Sequence, residues 1–443
     1  MNPLRPLSRA LRQQARAKTN VLSQRRHLSI HEYQSQSLLR DAGVPVPQGH
    51  LATTPSEALS HAEALGGNTV VLKSQILAGG RGKGQFLNSS VSGGIQLADS
   101  PSQAEKLASG MLGHHLVTKQ TKPEGIKVEK LYIAEKVPYT NEYYLSITID
   151  REAAAPALIV SRHGGMNIED AAKTDPSSVA KLRFDYLADE VDSTTLYTAQ
   201  KALDLPDEEL EGLRTLLTKL ITLFKQKDAT LIEINPLVRT NSKQLLCLDA
   251  KFSFDNAAAP RQKELFSWEE KAAREKSEVE AEKSGLVYVR LEGDIGNVVN
   301  GAGLAMATND AVEFYGGRSA NFLDAGGQAT KETMVDAFRI ILDDERVRVI
   351  LVNIYGGIIR CDMIAESIIA AAAELGPLRV PIVVRLQGTN AEKGQQMIAE
   401  CDLDIHAAAG FGEAAKKATE MAAAAAAEMD PGRKELDQGP VGS

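Results

Sequence analysis

The chain has 443 residues, of which 43% are hydrophobic, 24% charged and 5% aromatic. At about 150 residues per domain this is two or three globular domains, and no apolar run approaches the roughly 20 residues that span a bilayer. Acids outnumber bases 58 to 50, which opposes general binding of nucleic acid, and the distant Cys247, Cys361 and Cys401 oppose a disulfide scaffold or a zinc pair.

The first 31 residues carry Arg5, Arg9, Arg12, Arg16, Lys18, Arg25 and Arg26 and no acid. An Arg-rich, acid-free start without a long apolar core reads as a mitochondrial transit peptide over residues 1–28 and places the mature chain in the matrix. A basic tail is the plainer alternative. A helix is expected over His31–Leu39, ended by Gly43, Pro45 and Pro47. A second runs over Ser56–Leu65, capped by Thr54 with Pro55 after it. Thr69–Lys73 reads as a strand, Gln103–Met111 as a helix, and Val128–Glu135, Tyr143–Asp150 and Ala157–Ser161 as strands. Leu210–Phe224 is an amphipathic helix with Leu213, Leu216, Leu217, Leu220 and Phe224 on one side. It feeds a strand, Thr230–Asn235, ended by Pro236, and then an antiparallel neighbour, Gln244–Asp249.

Residues 263–284 are poor in glycine and dense in charge, and read as a solvated connector between domains. Beyond it βα units repeat. Strands are expected at Val287–Leu291, Ala320–Leu323, Val347–Ile354, Val380–Leu386 and Leu403–Ala407. The helices are Gly303–Phe314, Lys331–Leu342, Asp362–Leu375, Glu392–Cys401 and Glu413–Ala427. This pattern is an open parallel sheet covered on both faces. The tail, residues 428–443, reads as disordered.

Four segments could carry chemistry. Leu77-Ala-Gly-Gly-Arg-Gly-Lys-Gly84 follows Lys73; adjacent glycines let N–H groups face an anion, although a flexible hairpin is an equal reading. Glu233, Asn235 and Asp249 offer oxygen donors of the kind Mg²⁺ prefers, or are only strand-edge polar groups. Asn300-Gly-Ala-Gly303 and Asn353-Ile-Tyr-Gly-Gly-Ile-Ile-Arg-Cys-Asp362 lie between strand and helix. There helix N–H groups can meet a carboxylate or phosphate, or the turns serve close packing alone. The glycine pattern of dinucleotide binding is missing, and neither His114, His115 nor His163 sits beside a nucleophile.

Together these segments resemble the beta-subunit family of mitochondrial succinyl-CoA ligases (succinyl-CoA synthetases). The resemblance is carried by Leu28-Ser-Ile-His-Glu-Tyr-Gln34, the glycine loop at 77–84, Leu231-Ile-Glu-Ile-Asn-Pro-Leu237 and Cys247-Leu-Asp-Ala-Lys251. Val299-Asn-Gly-Ala-Gly-Leu-Ala-Met306, Asn321-Phe-Leu-Asp-Ala-Gly-Gly327, residues 353–362 and Val384-Arg-Leu-Gln-Gly388 complete it. The motifs keep the family's order from about Leu28 to Ala427. Departures are Gln328 in place of a third glycine, Tyr355 before Gly-Gly, and the run Ile295-Gly-Asn-Val-Val-Asn300.

The resemblance implies an ATP-grasp nucleotide-binding domain over 29–262 followed by a flavodoxin-like CoA-ligase domain over 285–427. It implies an acid–thiol ligase of the citric acid cycle, preferentially ADP-forming, that makes succinyl-CoA reversibly from succinate and CoA. Its partner is an alpha subunit that binds most of CoA and carries the phosphorylated histidine. By position, Lys73, Gly80, Arg81 and Gly82 match contacts to the phosphates of ATP/ADP or GTP/GDP. Glu135 matches the base and hinge side, Glu142 the ribose, and Asn235 and Asp249 the Mg²⁺ ligands. Glu233 matches the catalytic carboxylate that steadies the partner's phosphohistidine. Asn300, Gly357, Ile358 and Ile359 match contacts to succinate. A ligase for another acid, such as malate, or a silent scaffold subunit would share the fold.

Overall fold

The structure, a computed structural model, describes residues 28–429 except 67, 166–167, 169–171, 174, 189, 271–274, 327–329, 358–359 and 377. The expected transit peptide up to residue 27, Gln328, Ile358, Ile359 and the tail from 430 lie outside the described residues. The chain forms two compact units, 1–269 and 270–443.

The first unit is built on antiparallel sheets. In the largest, Ala229–Thr240 lies between Ala250–Phe254 and Tyr139–Asp150, and the order continues through Ala155–Ser161 to Val179–Arg183. The helix Leu210–Gln226 places Leu213, Leu217 and Leu220 in the core against it. A second sheet has the order Gly49–Ala52, Leu131–Glu135, Val70–Ser74, Ile95–Ala98. The helices Pro55–Ala64 and Pro101–Met111 cover it with Ala58, Ala62, Ala104 and Ala108, all buried. Thr54 caps the first as expected, its hydroxyl accepting from the Glu57 N–H. A small third sheet joins Gln85–Leu87, His115–Val117 and Ile126–Lys127.

Two expectations fail here. Pro236 does not end its strand; the strand runs on to Thr240. The register shifts between Ile234 and Leu237, and the partner changes from Ala250–Phe254 to Leu245–Cys247. A proline is tolerated at such a break because no ladder N–H is needed from it. The strand expected at Gln244–Asp249 is found only at Leu245–Cys247, and Leu248 and Asp249 link it to a further strand, Ala250–Phe254.

In the second unit a six-stranded sheet runs Val287–Arg290, Asn321–Asp324, Ile295–Val299, Val349–Gly356, Ile382–Gly388, Ile405–Ala407. Val287–Arg290 pairs antiparallel with its neighbour and the other pairs are parallel, so the sheet is mixed at one edge. Ile295–Val299, absent from the expected strands, is a central strand with every residue buried. Helices Lys331–Leu342 and Cys361–Leu375 seal one face, where Phe338 and Ile364 are fully buried. Ala302–Phe314 and Phe411–Met429 seal the other. Part of the expected connector is packed rather than solvated: helix Lys276–Lys283 buries Ala281 in the second unit's core.

Candidate active site

In the first unit the site begins with a helix that is polar on its inner side. Glu32–Asp41 buries Glu32, Gln34, Ser35 and Gln36 beside Leu38 and Leu39. Buried polar groups need partners: Gln34 and Ser35 bond to the His31 backbone at the start of their own helix, while Glu32 and Gln36 reach other elements. Gln36 donates to the Leu248 carbonyl at 3.2 Å. Lys73, next to last in the strand Val70–Ser74, donates to the same carbonyl at 2.9 Å and to Glu32 Oε1 at 2.6 Å. Arg81 NH2 reaches Glu32 Oε2 at 2.8 Å and Asp249 Oδ2 at 3.1 Å, and its NH1 donates to the Ser74 carbonyl at 2.8 Å.

The charges of this quartet act on one another. Burial alone would raise the Glu32 carboxyl, but the Lys73 and Arg81 charges hold it below the usual carboxylate value. Burial would lower Lys73, and the charges of Glu32 and Asp249 raise it instead. The same two acids raise Arg81 against its burial. Asp249 keeps 29% of its side-chain surface open. Even so, loss of water around it and the like charge of Glu32 push it up to about 6, against the pull of Arg81 and Lys73.

The glycine loop is folded rather than floppy. Arg81–Lys83 forms one 3₁₀ turn preceded by Gly80 at φ 75°, a left-handed conformation that favours glycine. The Arg81 carbonyl accepts from both Gly84 and Gly94, and Gly79 N–H donates to Gln120 Oε1 at 2.7 Å. The N–H groups of Gly80, Arg81 and Gly82 find no hydrogen-bond partner among the described residues. Three successive open donors make an anion-binding concavity. A Cβ at Gly80 would meet nothing within 4 Å, so that side of the loop is clear. Strand register sets Ile95 opposite Lys73 and Leu97 opposite Val71. Opposite residues share a sheet face, and Ile95 and Leu97 remain 37% and 50% exposed. Ile95 and Leu97 therefore leave exposed apolar surface on the sheet face that carries Lys73.

Asn235 N–H donates to the Asp249 carbonyl at 3.1 Å, so the two expected metal ligands are joined through their backbones. Asn235 Oδ1 accepts from Gly165 N–H at 2.7 Å. The same loop lies on Glu142: Gly164 N–H donates to the Glu142 carbonyl at 3.2 Å, and Tyr139 OH donates to the Glu142 carboxylate. Glu135 accepts from Gln48 N–H at 2.8 Å at the end of its strand. Glu233 is half-buried, opposite Lys251 on one neighbouring strand and Ser146 on the other. Among the described residues no group of three or more His, Cys, Asp or Glu could hold a metal; Asn235 and Asp249 carry side-chain oxygens of the hard class that Mg²⁺ takes.

The second unit carries Asn300 and Gly357 just after the carboxyl ends of two of its parallel strands. Asn300 clips the neighbouring strand: its Nδ2 donates to the Tyr355 carbonyl at 2.9 Å and its Oδ1 accepts from Tyr355 N–H at 2.8 Å. Asp324 Oδ1 accepts from Gly301 N–H at 2.6 Å and Gly326 N–H at 2.7 Å, fixing the turn that starts helix Ala302–Phe314. Gly357 is exposed, and a Cβ on it would meet nothing within 4 Å. Beyond it Asp362 is held well below the usual carboxylate range by hydrogen bonding from Arg360, joined by Asn390 and Lys393.

Glu32 is the member of the first site that sequence reasoning passed over. Its signal is an acid opening a short helix, followed after Tyr33 by the polar run Gln34, Ser35, Gln36 and Ser37.

The chain matches the ATP-grasp domain family over residues 29–239 and the CoA-ligase family over 298–427. It is 46% identical over 392 residues to the ADP-forming succinate–CoA ligase subunit beta of Wolbachia sp. subsp. Brugia malayi, covering 88% of this chain and 98% of that protein. It is 43% identical over 411 residues to the mitochondrial ADP-forming subunit beta of Saccharomyces cerevisiae, covering 90% and 94%. Among solved structures, ATP citrate lyase from Methanothrix soehngenii shares the fold, with a TM-score of 0.65 at 19% identity over 89% of this chain and all of that one. The chain therefore belongs to the family of ADP-forming succinate–CoA ligase beta subunits.

Proposed function

We propose that this chain is the nucleotide-using subunit of a ligase that joins succinate to CoA at the expense of ATP, releasing ADP and phosphate reversibly, with its nucleotide at the Lys73–Arg81 loop. One observation carries the reading: three open N–H groups, Gly80 to Gly82, lie on the loop that carries Arg81, whose side chain is 11% exposed and shares the Glu32 carboxylate with the buried Lys73. In phosphoryl transfer catalysis is largely positioning and charge neutralisation, and donors fixed before the nucleotide arrives need no reorganisation. The N–H groups take phosphate oxygens, Lys73 and Arg81 neutralise them, Ile95 and Leu97 floor the base, and Glu142 takes the ribose hydroxyls. Asn235 and Asp249 would hold Mg²⁺, which supplies further positive charge to the phosphates when bound.

Glu233 accepts the N–H of an imidazole brought by an alpha-type partner subunit. That contact fixes the tautomer whose other nitrogen receives the phosphoryl group. Asn300 and the turn from Gly357 meet a carboxylate of succinate, and the partner supplies most of the CoA site. The basic first 28 residues and the mitochondrial relative from yeast support import into the matrix. Co-expression with the cognate partner, followed by rates with ADP and GDP and with succinyl-CoA and malyl-CoA, tests the assignment. Equal or faster turnover of malyl-CoA, or none with either acyl-CoA, would overturn it.

A further inference from the structure

Arg81 stands on an oxygen that a metal would need. Its NH2 lies 3.1 Å from Asp249 Oδ2 and 2.8 Å from Glu32 Oε2, while NH1 is anchored on the Ser74 carbonyl at 2.8 Å. The Glu32 side chain is 2% exposed, and its other oxygen holds Lys73 at 2.6 Å. Two carboxylates and two cations thus balance without any ion from outside. Binding a dication through Asp249 requires that this pairing be undone.

We propose that Arg81 is the resident counter-cation of the Asn235–Asp249 metal site: its NH2 holds Asp249 until nucleotide phosphates take over that one contact, and the metal then takes Asp249 in its place. The proposal rests on the nucleotide reading of the loop. The exchange is local, because the phosphates are received by N–H groups that include that of Arg81 itself. A guanidinium fork matches phosphate oxygens as well as it matches a carboxylate. Glu32 and the Ser74 carbonyl keep their hold, so Arg81 changes partner by turning about a fixed tether, and Glu32 is the positioning residue of the exchange. Without nucleotide, a free dication must break an ion pair that water screens poorly. With nucleotide, that pair is replaced rather than lost. Metal and nucleotide therefore strengthen each other's binding, and reciprocally so.

The sign of the effect of removing Arg81 follows from the charges. Glu32 and Asp249 would face Lys73 alone, leaving a net negative site open to a dication. Mn²⁺, followed by electron paramagnetic resonance, is the probe. It is titrated into the full chain in complex with its partner subunit, without nucleotide and again with ADP. The parent should bind Mn²⁺ weakly without nucleotide and at least about ten-fold more tightly with ADP. Arg81→Met should tighten nucleotide-free binding about ten-fold or more, the scale of one charge-assisted contact, and shrink the gain from ADP. Arg81→Lys keeps a charge but not the fork, and should tighten it less. Adding Asp249→Asn to Arg81→Met should abolish the tightening, which places the ion at Asp249. If neither Arg81 variant binds Mn²⁺ more tightly than the parent while ADP still binds, the exchange is refuted and the nucleotide reading stands. If the parent binds no ADP, that reading falls and takes the exchange with it.

Discussion

Asn235 Oδ1 and the Gly165 N–H are joined at 2.7 Å, so a residue expected to face a metal also anchors the loop that lies on Glu142. Gly165 has φ 71°, and a Cβ there would stand 2.4 Å from Glu142 Oε2. Gly165→Ala therefore strains the backbone and pushes directly on the carboxylate assigned to the ribose. Calorimetric titration should show ADP–Mg²⁺ affinity weakened about ten-fold or more, with thermal unfolding of the second unit unchanged. Undiminished affinity would separate this loop from the nucleotide site.

Glu32 ties acid stability to the same cluster. Its carboxyl lies below the ordinary 4.5 when folded. The stability it contributes is complete above about pH 4.5 and is lost as the pH falls through the folded value. Glu32→Gln should flatten the decline of denaturant midpoint below pH 4.5 relative to the parent. Glu32→Ala, which leaves Lys73 buried without its counter-charge, should lower stability by about 3 kcal/mol or more at neutral pH. An acid profile identical in parent and Glu32→Gln would show that the carboxylate titrates normally.

Glu233 is judged by a partial reaction. Glu233→Gln keeps size and strand pairing but removes the charge offered to the partner's imidazole. Exchange of phosphoryl groups between labelled nucleotide and partner histidine, run without succinate or CoA, isolates that step. The exchange should slow about ten-fold or more, the usual scale for losing a positioned proton-handling group, while ADP affinity holds. Exchange as fast as in the parent would reduce Glu233 to a strand-edge carboxylate.

Much of this architecture is legible in the sequence where one period dominates. Leu213, Leu216, Leu217, Leu220 and Phe224 announce the long helix, and the apolar runs after residue 286 announce the parallel strands. Legibility fails where tertiary pairing overrides a local signal. Pro236 normally stops a strand, yet a register break carries the strand past it. Ile295–Val299 was hidden by Gly296 and Asn297, although Asn297 is buried and donates to Asn309 Oδ1 at 3.1 Å. Spacing alone left the glycine loop balanced between hairpin and anion cradle; the open N–H groups and the helix-borne Glu32 come from distant parts of the chain and exist only once it folds. An acid in a helix's first turn is ordinarily there for the dipole, so the sequence position of Glu32 does not by itself announce its ion pairs.

Asn300 offers a choice between two roles that a single atom can decide. Its amide is already committed to Tyr355 in both directions, so loss of function in Asn300→Ala would say only that the clip matters. Asn300→Asp is more informative. It keeps an oxygen to accept from Tyr355 N–H, gives up the Nδ2 donor, and sets a negative charge where a substrate carboxylate is expected. Like charges at close range in a partly enclosed turn repel by more than a lost neutral hydrogen bond. If the turn from Asn300 to Gly357 receives succinate, KM for succinate should rise about ten-fold or more. KM for ATP and the rate of nucleotide–histidine exchange without succinate should stay as in the parent. If KM for succinate is unchanged and only thermal stability falls, Asn300 is a strand clip alone and the carboxylate lies elsewhere.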